Sequence, residues 1–187
     1  MTKVVLFGDS LTAGVIDGHP SPIFTRLLED KFPDVEFINR GFPGDQTRNA
    51  CKRLREDVLN EDPDIVVIFF GTNDVSSKEV FLANYHNNLA YMLTCIDPNK
   101  CLLVTPGIAG PTRANLRPLS KMEQYATETL TVAQEFGIAA LDWFSFCKEK
   151  DPSELLQTDD LHYSKKAYQF LVDQLEPLLK EKLASLN

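Results

Sequence analysis

Five short apolar runs, mostly β-branched or aromatic, recur along the chain at intervals of roughly 30 residues: Val4-Val5-Leu6-Phe7, Val35 to Ile38, Ile65 to Phe70, Leu102 to Thr105 and Ile138 to Leu141. Each is too short for a helix. Strands that are apolar throughout, rather than alternating, need burial on both faces, which a parallel sheet between two helix layers provides. The gaps leave room for one helix each, so the predicted class is α/β.

The segments between these runs carry helical periodicity. Leu82, Tyr85, Leu89, Met92, Leu93 and Ile96 form one core-facing stripe, and Tyr168, Leu171, Val172, Leu175, Leu178, Leu179 and Leu183 form another. Pro177 is expected to kink or interrupt the second helix. Loops are predicted at Asp17 to Pro22, Asn39 to Thr47, Pro106 to Pro118 and, longer, Ser145 to Tyr163. All but one directly follow a strand. With right-handed crossovers, such loops line the carboxyl edge of the sheet, where ligands bind in folds of this class.

A length of 187 residues fits a single domain, residues 1–187. The 19 Lys and Arg against 27 Asp and Glu leave a formal charge of -8, which opposes nucleic acid and anionic membrane surfaces as partners. Ile65 to Phe70 is far shorter than the roughly 20 apolar residues that cross a bilayer, so membrane insertion is not expected. Gly8 and Asp9 end the first apolar run before a secretory leader could form, and a cytoplasmic location is expected. Cys51, Cys95, Cys101 and Cys147 show no zinc-ligand spacing and are expected to be reduced, mostly buried thiols.

Chemistry-bearing residues fall just after the predicted strands. Ser10, in Gly8-Asp9-Ser10-Leu11, should project at the carboxyl edge; if a short helix starts at Ser10 or Leu11, its free N–H groups face any anion beside the hydroxyl. Capping by Asp9 or Ser10 is the plainer alternative. Asn73, in Gly71-Thr72-Asn73-Asp74, follows the most apolar strand, expected at the sheet centre beside the first; its amide reaches the same anion or closes an Asn turn. Gly41 and Gly44 present backbone N–H groups where a Cβ would obstruct, or form an ordinary turn.

His162, in Asp159-Asp160-Leu161-His162, precedes the last helix with no strand after Leu141, so it starts that helix on the same edge as Ser10. A carboxylate three residues earlier can orient its imidazole, which makes Asp159 the candidate and Asp160 its local competitor. His86 is expected to face solvent in mid-helix. His19, in the first edge loop, has only Asp17 nearby in sequence. No histidine spacing suggests a catalytic metal, and no cofactor is called for.

Taken together, Gly8-Asp9-Ser10-Leu11, Gly44 within Asn39-x-Gly41-x-x-Gly44, Gly71-x-Asn73-Asp74 and Asp159-x-x-His162 resemble the four ordered blocks of the GDSL, or SGNH, hydrolases, a family of serine esterases and lipases. The resemblance spans residues 8 to 162. It implies a three-layer α/β/α fold with a five-stranded parallel sheet in the flavodoxin-like order 2-1-3-4-5. It also implies Ser10 as nucleophile, His162 as base, Asp159 as orienter, and an oxyanion hole of Ser10 N–H, Gly44 N–H and the Asn73 amide. Asp160 stands where the family often has Gly, and Tyr163 where it often has Pro or Leu. The G-x-S-x-G elbow of ordinary α/β-hydrolases is absent.

The expected reaction is hydrolysis of carboxylic esters, either small acyl esters or lysophospholipid-like lipids. Phe42, Ile108, Pro111 and Leu116 are candidate acyl or alkyl contacts, and Arg113 and Arg117 candidate contacts for an anionic or sugar portion. Short loops without a large lid favour small or exposed esters. Two alternatives remain: a carbohydrate O-deacetylase with the same triad, and a non-enzymatic flavodoxin-like module holding phosphate above Ser10 and Thr12, which lacks a G-x-G-x-x-G or Walker pattern.

Overall fold

The computed structural model describes residues 1–186, and the five apolar runs become five parallel strands of one sheet. These are β1 (Thr2–Gly8), β2 (Val35–Gly41), β3 (Ile65–Phe69), β4 (Cys101–Val104) and β5 (Ala140–Leu141), in the order β2-β1-β3-β4-β5. Val4 to Phe7 and Ile65 to Phe70 are buried along their whole length. Each such large side chain contributes about 1.5–3 kcal/mol by leaving water, which favours inner positions for these two runs, β4 taking the third.

Helices cover both faces. On one, α1 (Ile23–Lys31) packs against α7 (Lys165–Ala184); on the other, α2 (Thr47–Asp57) packs on α3 (Leu82–Ile96) and α3 on α4 (Leu119–Phe136). The predicted stripes are the buried faces: Tyr85, Leu89, Met92, Leu93 and Ile96 in α3, and Tyr168, Leu171, Val172, Leu175 and Leu179 in α7.

Three expectations need correction. Pro177 lies inside α7 without ending it. It sits on the exposed face, as does Asp173 four residues earlier, so the carbonyl that loses its partner turns to water while the apolar face stays packed. The predicted long loop from Ser145 to Tyr163 is instead occupied by the end of α5 (Trp143–Lys148) and the whole of α6 (Pro152–Leu155). Asp142 caps the first by accepting from Ser145 N–H, and Asp151 caps the second by accepting from Ser153 N–H. Of the four free cysteines, only Cys101 and Cys147 are buried; Cys51 is half-buried and Cys95 exposed.

The strand register sets up the site. Gly41 pairs with Gly8, Gly8 with Phe69, Phe69 with Val104, and Val104 with Leu141. The carboxyl ends of all five strands therefore form one row, and every loop that leaves it starts at the same level.

Candidate active site

Ser10 lies two residues beyond that row, in a turn rather than a helix; the first helix begins only at Ile23. The turn is closed by Ala13 N–H donating to Asp9 O and Val15 N–H to Ser10 O, and Asp9 Oδ1 accepts from Leu11 N–H at 2.9 Å. The helix start that the phosphate-binding alternative needs is thus missing, and the Asp9 side chain closes the turn instead. Gly41 and Gly44 shape the neighbouring loop differently. A Cβ on Gly41 would stand 2.2 Å from Ala13 N, so β2 can lie against the Ser10 turn only without one. Gly44 has open space but a φ of +81°, in the left-handed region.

Asn73 reaches into the gap between these two loops. Its Nδ2 donates to Asp45 O at 3.0 Å and lies 3.4 Å from Asp9 Oδ2, beside the residues that follow Gly44 and precede Ser10. Its Oδ1 accepts from Arg117 Nη2 at 3.1 Å.

Opposite, Asp159 Oδ2 lies 2.5 Å from His162 Nδ1, while Asp159 Oδ1 accepts from the N–H groups of Leu161 and His162. Burial acts to raise the Asp159 pKa, but the bonds from His162 and Leu161 outweigh it and hold the carboxyl below its ordinary value. Asp160 turns away. Its Oδ2 accepts from Thr112 N–H at 2.9 Å, and its carbonyl accepts from Gly110 N–H. Its φ of +57° lies in the left-handed region, which accounts for glycine being common at this place in the resembling family.

No hydrogen bond joins the Ser10 hydroxyl to the imidazole among the described residues. The two loops are joined by Gln157. Its Nε2 donates to Val15 O and to Tyr163 O, each at 2.8 Å, and its Oε1 accepts from Asp17 N–H. Gln157 N–H donates to His162 O, and Tyr168 Oη of α7 donates to Leu11 O at 2.8 Å. One amide side chain thus holds the histidine loop against the turn bearing Ser10.

Beneath the rim lie three buried carboxyls, Asp9, Asp45 and Asp74. Asp45 is paired with Arg53 at 2.7 Å, and Arg53 also donates to Gly8 O and Arg40 O, fastening the ends of β1 and β2. Asp74 Oδ1 accepts from Thr47 N–H and Oγ1–H, while its Oδ2 has no partner among the described residues. Burial foremost, with help from neighbouring carboxyls, pushes Asp9 up to about 7 and Asp74 up to about 6.

The predicted substrate contacts divide. Phe42 and Leu116 are exposed at the rim, Pro111 is exposed, and Ile108 is buried against a cavity of about 280 Å³ that Pro111, Arg117 and Leu119 also line. Both arginines also make structural bonds: Arg113 Nε donates to Asp159 O, and Arg117 Nε to Thr72 O. His19 is exposed in the turn it closes with Ile16. His86 is half-buried rather than solvent-facing, with Nδ1 2.6 Å from Glu128 Oε1 and Nε2 3.3 Å from Glu135 Oε2, both on α4.

Gln157, Arg53 and Asp74 went unpredicted as supports of the site. Gln157 and Arg53 act across long stretches of sequence that no local pattern marks. Asp74 stood in a quoted motif, but its partner Thr47 lies 27 residues away.

Comparison with known proteins identifies the family. Residues 6–170 match the GDSL-like Lipase/Acylhydrolase family. The chain is 29% identical to the isoamyl acetate-hydrolyzing esterase 1 homolog of Homo sapiens, over 98% of its own length and 84% of the relative's. It is also 29% identical to an acetylxylan esterase of Geobacillus stearothermophilus, over 62% of this chain and 58% of that one. Among solved structures, the lipase/acylhydrolase from Enterococcus faecalis superposes with a TM-score of 0.93 at 34% identity, covering 97% of each chain. The chain therefore belongs to the GDSL-like lipase/acylhydrolase family and is a carboxylic ester hydrolase.

Proposed function

We propose that the chain hydrolyses small, exposed carboxylic esters by two-step acyl transfer through Ser10, His162 and Asp159. His162 takes the Ser10 hydroxyl proton as Oγ bonds to the ester carbonyl carbon, and the carbonyl oxygen becomes an oxyanion. Ser10 N–H, Gly44 N–H and the Asn73 amide donate to that oxygen. Collapse breaks the ester C–O bond, and the leaving alkoxide takes the proton from His162. Water, deprotonated by His162, then releases the acid and returns Ser10 to its starting form. Asp159 holds the imidazole in one tautomer and stabilises its protonated form.

The observation that carries this reading is the 2.5 Å contact between Asp159 and His162, on a loop that Gln157 fastens to the Ser10 turn. The exposed Phe42 and Leu116 at the rim suit a short acyl or alkyl group. The test is incubation with an organophosphonate, followed by intact mass and peptide mapping. One adduct, on Ser10, is expected; a folded, active sample that resists labelling would refute the serine mechanism.

A second substrate class, acetylated carbohydrate, is favoured by the similarity to an acetylxylan esterase. Relative kcat/KM for an aryl acetate series and for acetylated sugars separates the two.

A further inference from the structure

We propose that Arg117 is a positioning residue for acyl transfer: by holding the carbonyl end of the Asn73 side chain, it keeps the amino end aimed between Ser10 and Gly44. Arg117 acts this way only if Asn73 donates to the oxyanion as proposed above.

A side-chain amide is nearly symmetric in shape, so only its partners decide which end faces which way. Here every partner agrees. Arg117 Nη2 donates to Asn73 Oδ1, whereas Asp45 O and Asp9 Oδ2, on the other side, can only accept from Nδ2 unless Asp9 is protonated. Flipping the amide would set N–H against guanidinium and oxygen against oxygen. The guanidinium fork is itself fixed, because Nε donates to Thr72 O at 2.8 Å, on the residue just before Asn73. Two donors at a set spacing meet two acceptors on consecutive residues, which a lysine's single ammonium does not reproduce.

Arg117 is also buried, with 8% of its surface exposed, and makes no ion pair among the described residues. Burying a cation without a carboxylate partner is costly. Burial foremost, with the nearby Arg113 charge, pulls its pKa below the ordinary arginine value, and the Asp9 carboxyl offsets this only in part. That placement gains a function if negative charge develops nearby: the cation polarises the amide it touches and strengthens its N–H donors in the transition state more than in the ground state. Neither Arg117 nor its partner oxygen need touch the substrate.

The test is a double-mutant cycle with Asn73 on a p-nitrophenyl ester, using Arg117→Ala and Arg117→Lys. In the parent, Arg117→Ala is expected to lower kcat about tenfold or more with KM within about twofold, and Arg117→Lys is expected to fall short of restoring it. In an Asn73→Ala background, the same changes should lower kcat less than about threefold further. An equal loss in both backgrounds, or a parental kcat in Arg117→Ala, overturns the proposal. A parental kcat in Asn73→Ala instead overturns the oxyanion role of Asn73. Should Arg117→Ala fail to fold, Arg117→Lys, which keeps charge and most of the volume, completes the cycle alone.

Discussion

Asp159 Oδ2 sits 2.5 Å from His162 Nδ1, while the adjacent carboxylate of Asp160 is bonded to Thr112 N–H and faces away from the imidazole. Two neighbouring acids therefore have separate tasks, and their variants should diverge. Asp159→Asn, which leaves the ring in the wrong tautomer, is expected to lower kcat by about ten-thousandfold. Asp160→Asn retains an acceptor for Thr112 and tolerates the left-handed backbone, so kcat should stay within about threefold. Steady-state kinetics of both on one aryl ester decides; similar losses would contradict the division of roles.

Asn73→Ala removes one oxyanion donor and is expected to cost about a hundredfold to a thousandfold in kcat. It also leaves Asp45 O and the Arg117 fork with fewer partners, at about 1–2 kcal/mol of stability. The catalytic loss should exceed the stability loss when both are expressed as free energy. Turnover and denaturant unfolding on the same samples provide the comparison, and a kcat equal to the parent's refutes the donor role.

Gln157 makes three side-chain hydrogen bonds, to Val15 O, Tyr163 O and Asp17 N–H. Gln157→Leu should lose about 2–4 kcal/mol of stability and slow organophosphonate labelling of Ser10, because the histidine loop loses its tie to the Ser10 turn. Gln157→Glu keeps the acceptor for Asp17 but sets a carboxylate against two carbonyls, so it should restore little. Unchanged unfolding and labelling in the Leu variant would show that other contacts hold the two loops together.

Much of this was legible from residues near one another in sequence. The five apolar runs announced buried parallel strands, and Asp159 and His162, three residues apart, meet as a local turn allows. What escaped depends on distant partners or on compensation by packing. Arg113 and Arg117 hold the carbonyls of Asp159 and Thr72, residues distant in sequence that no local pattern announces. His86 looked solvated because its partners, Glu128 and Glu135, lie on another helix. Pro177 breaks a backbone bond, but Leu175 and Leu179 on the buried face keep the helix whole.

Gly41 and Gly44 should respond differently to alanine. At Gly41 the new Cβ would lie 2.2 Å from Ala13 N and 2.7 Å from Ala13 Cα, backbone that must shift, so the Ser10 turn is displaced and activity lost along with stability. At Gly44 space is open and only the positive φ is opposed, at about 1 kcal/mol. Melting temperatures and kcat for the two variants check the ranking; a Gly44 variant less stable than the Gly41 variant would reverse it.

Asp74 gives the pH dependence. Burial foremost, offset in part by the Thr47 bonds, raises its pKa to about 6, whereas an unfolded aspartate titrates near 4. Between those values the native state keeps a proton that the unfolded chain has released. Stability from this group is therefore greatest below about pH 4, falls as pH rises, and has fully gone above about 6. Asp74→Asn cannot ionise, so the variant should gain on the parent between pH 4 and 7.5 by on the order of 3 kcal/mol, whatever fixed change the lost charge causes at both pH values. The neighbouring Asp9, raised to about 7, acts in the same direction, because a neutral residue 74 removes repulsion that opposes its ionisation. Denaturant unfolding of both proteins at the two pH values measures the gap; a gap that stays constant or narrows toward neutral pH would mean that Asp74 is already ionised in the folded protein at the lower pH.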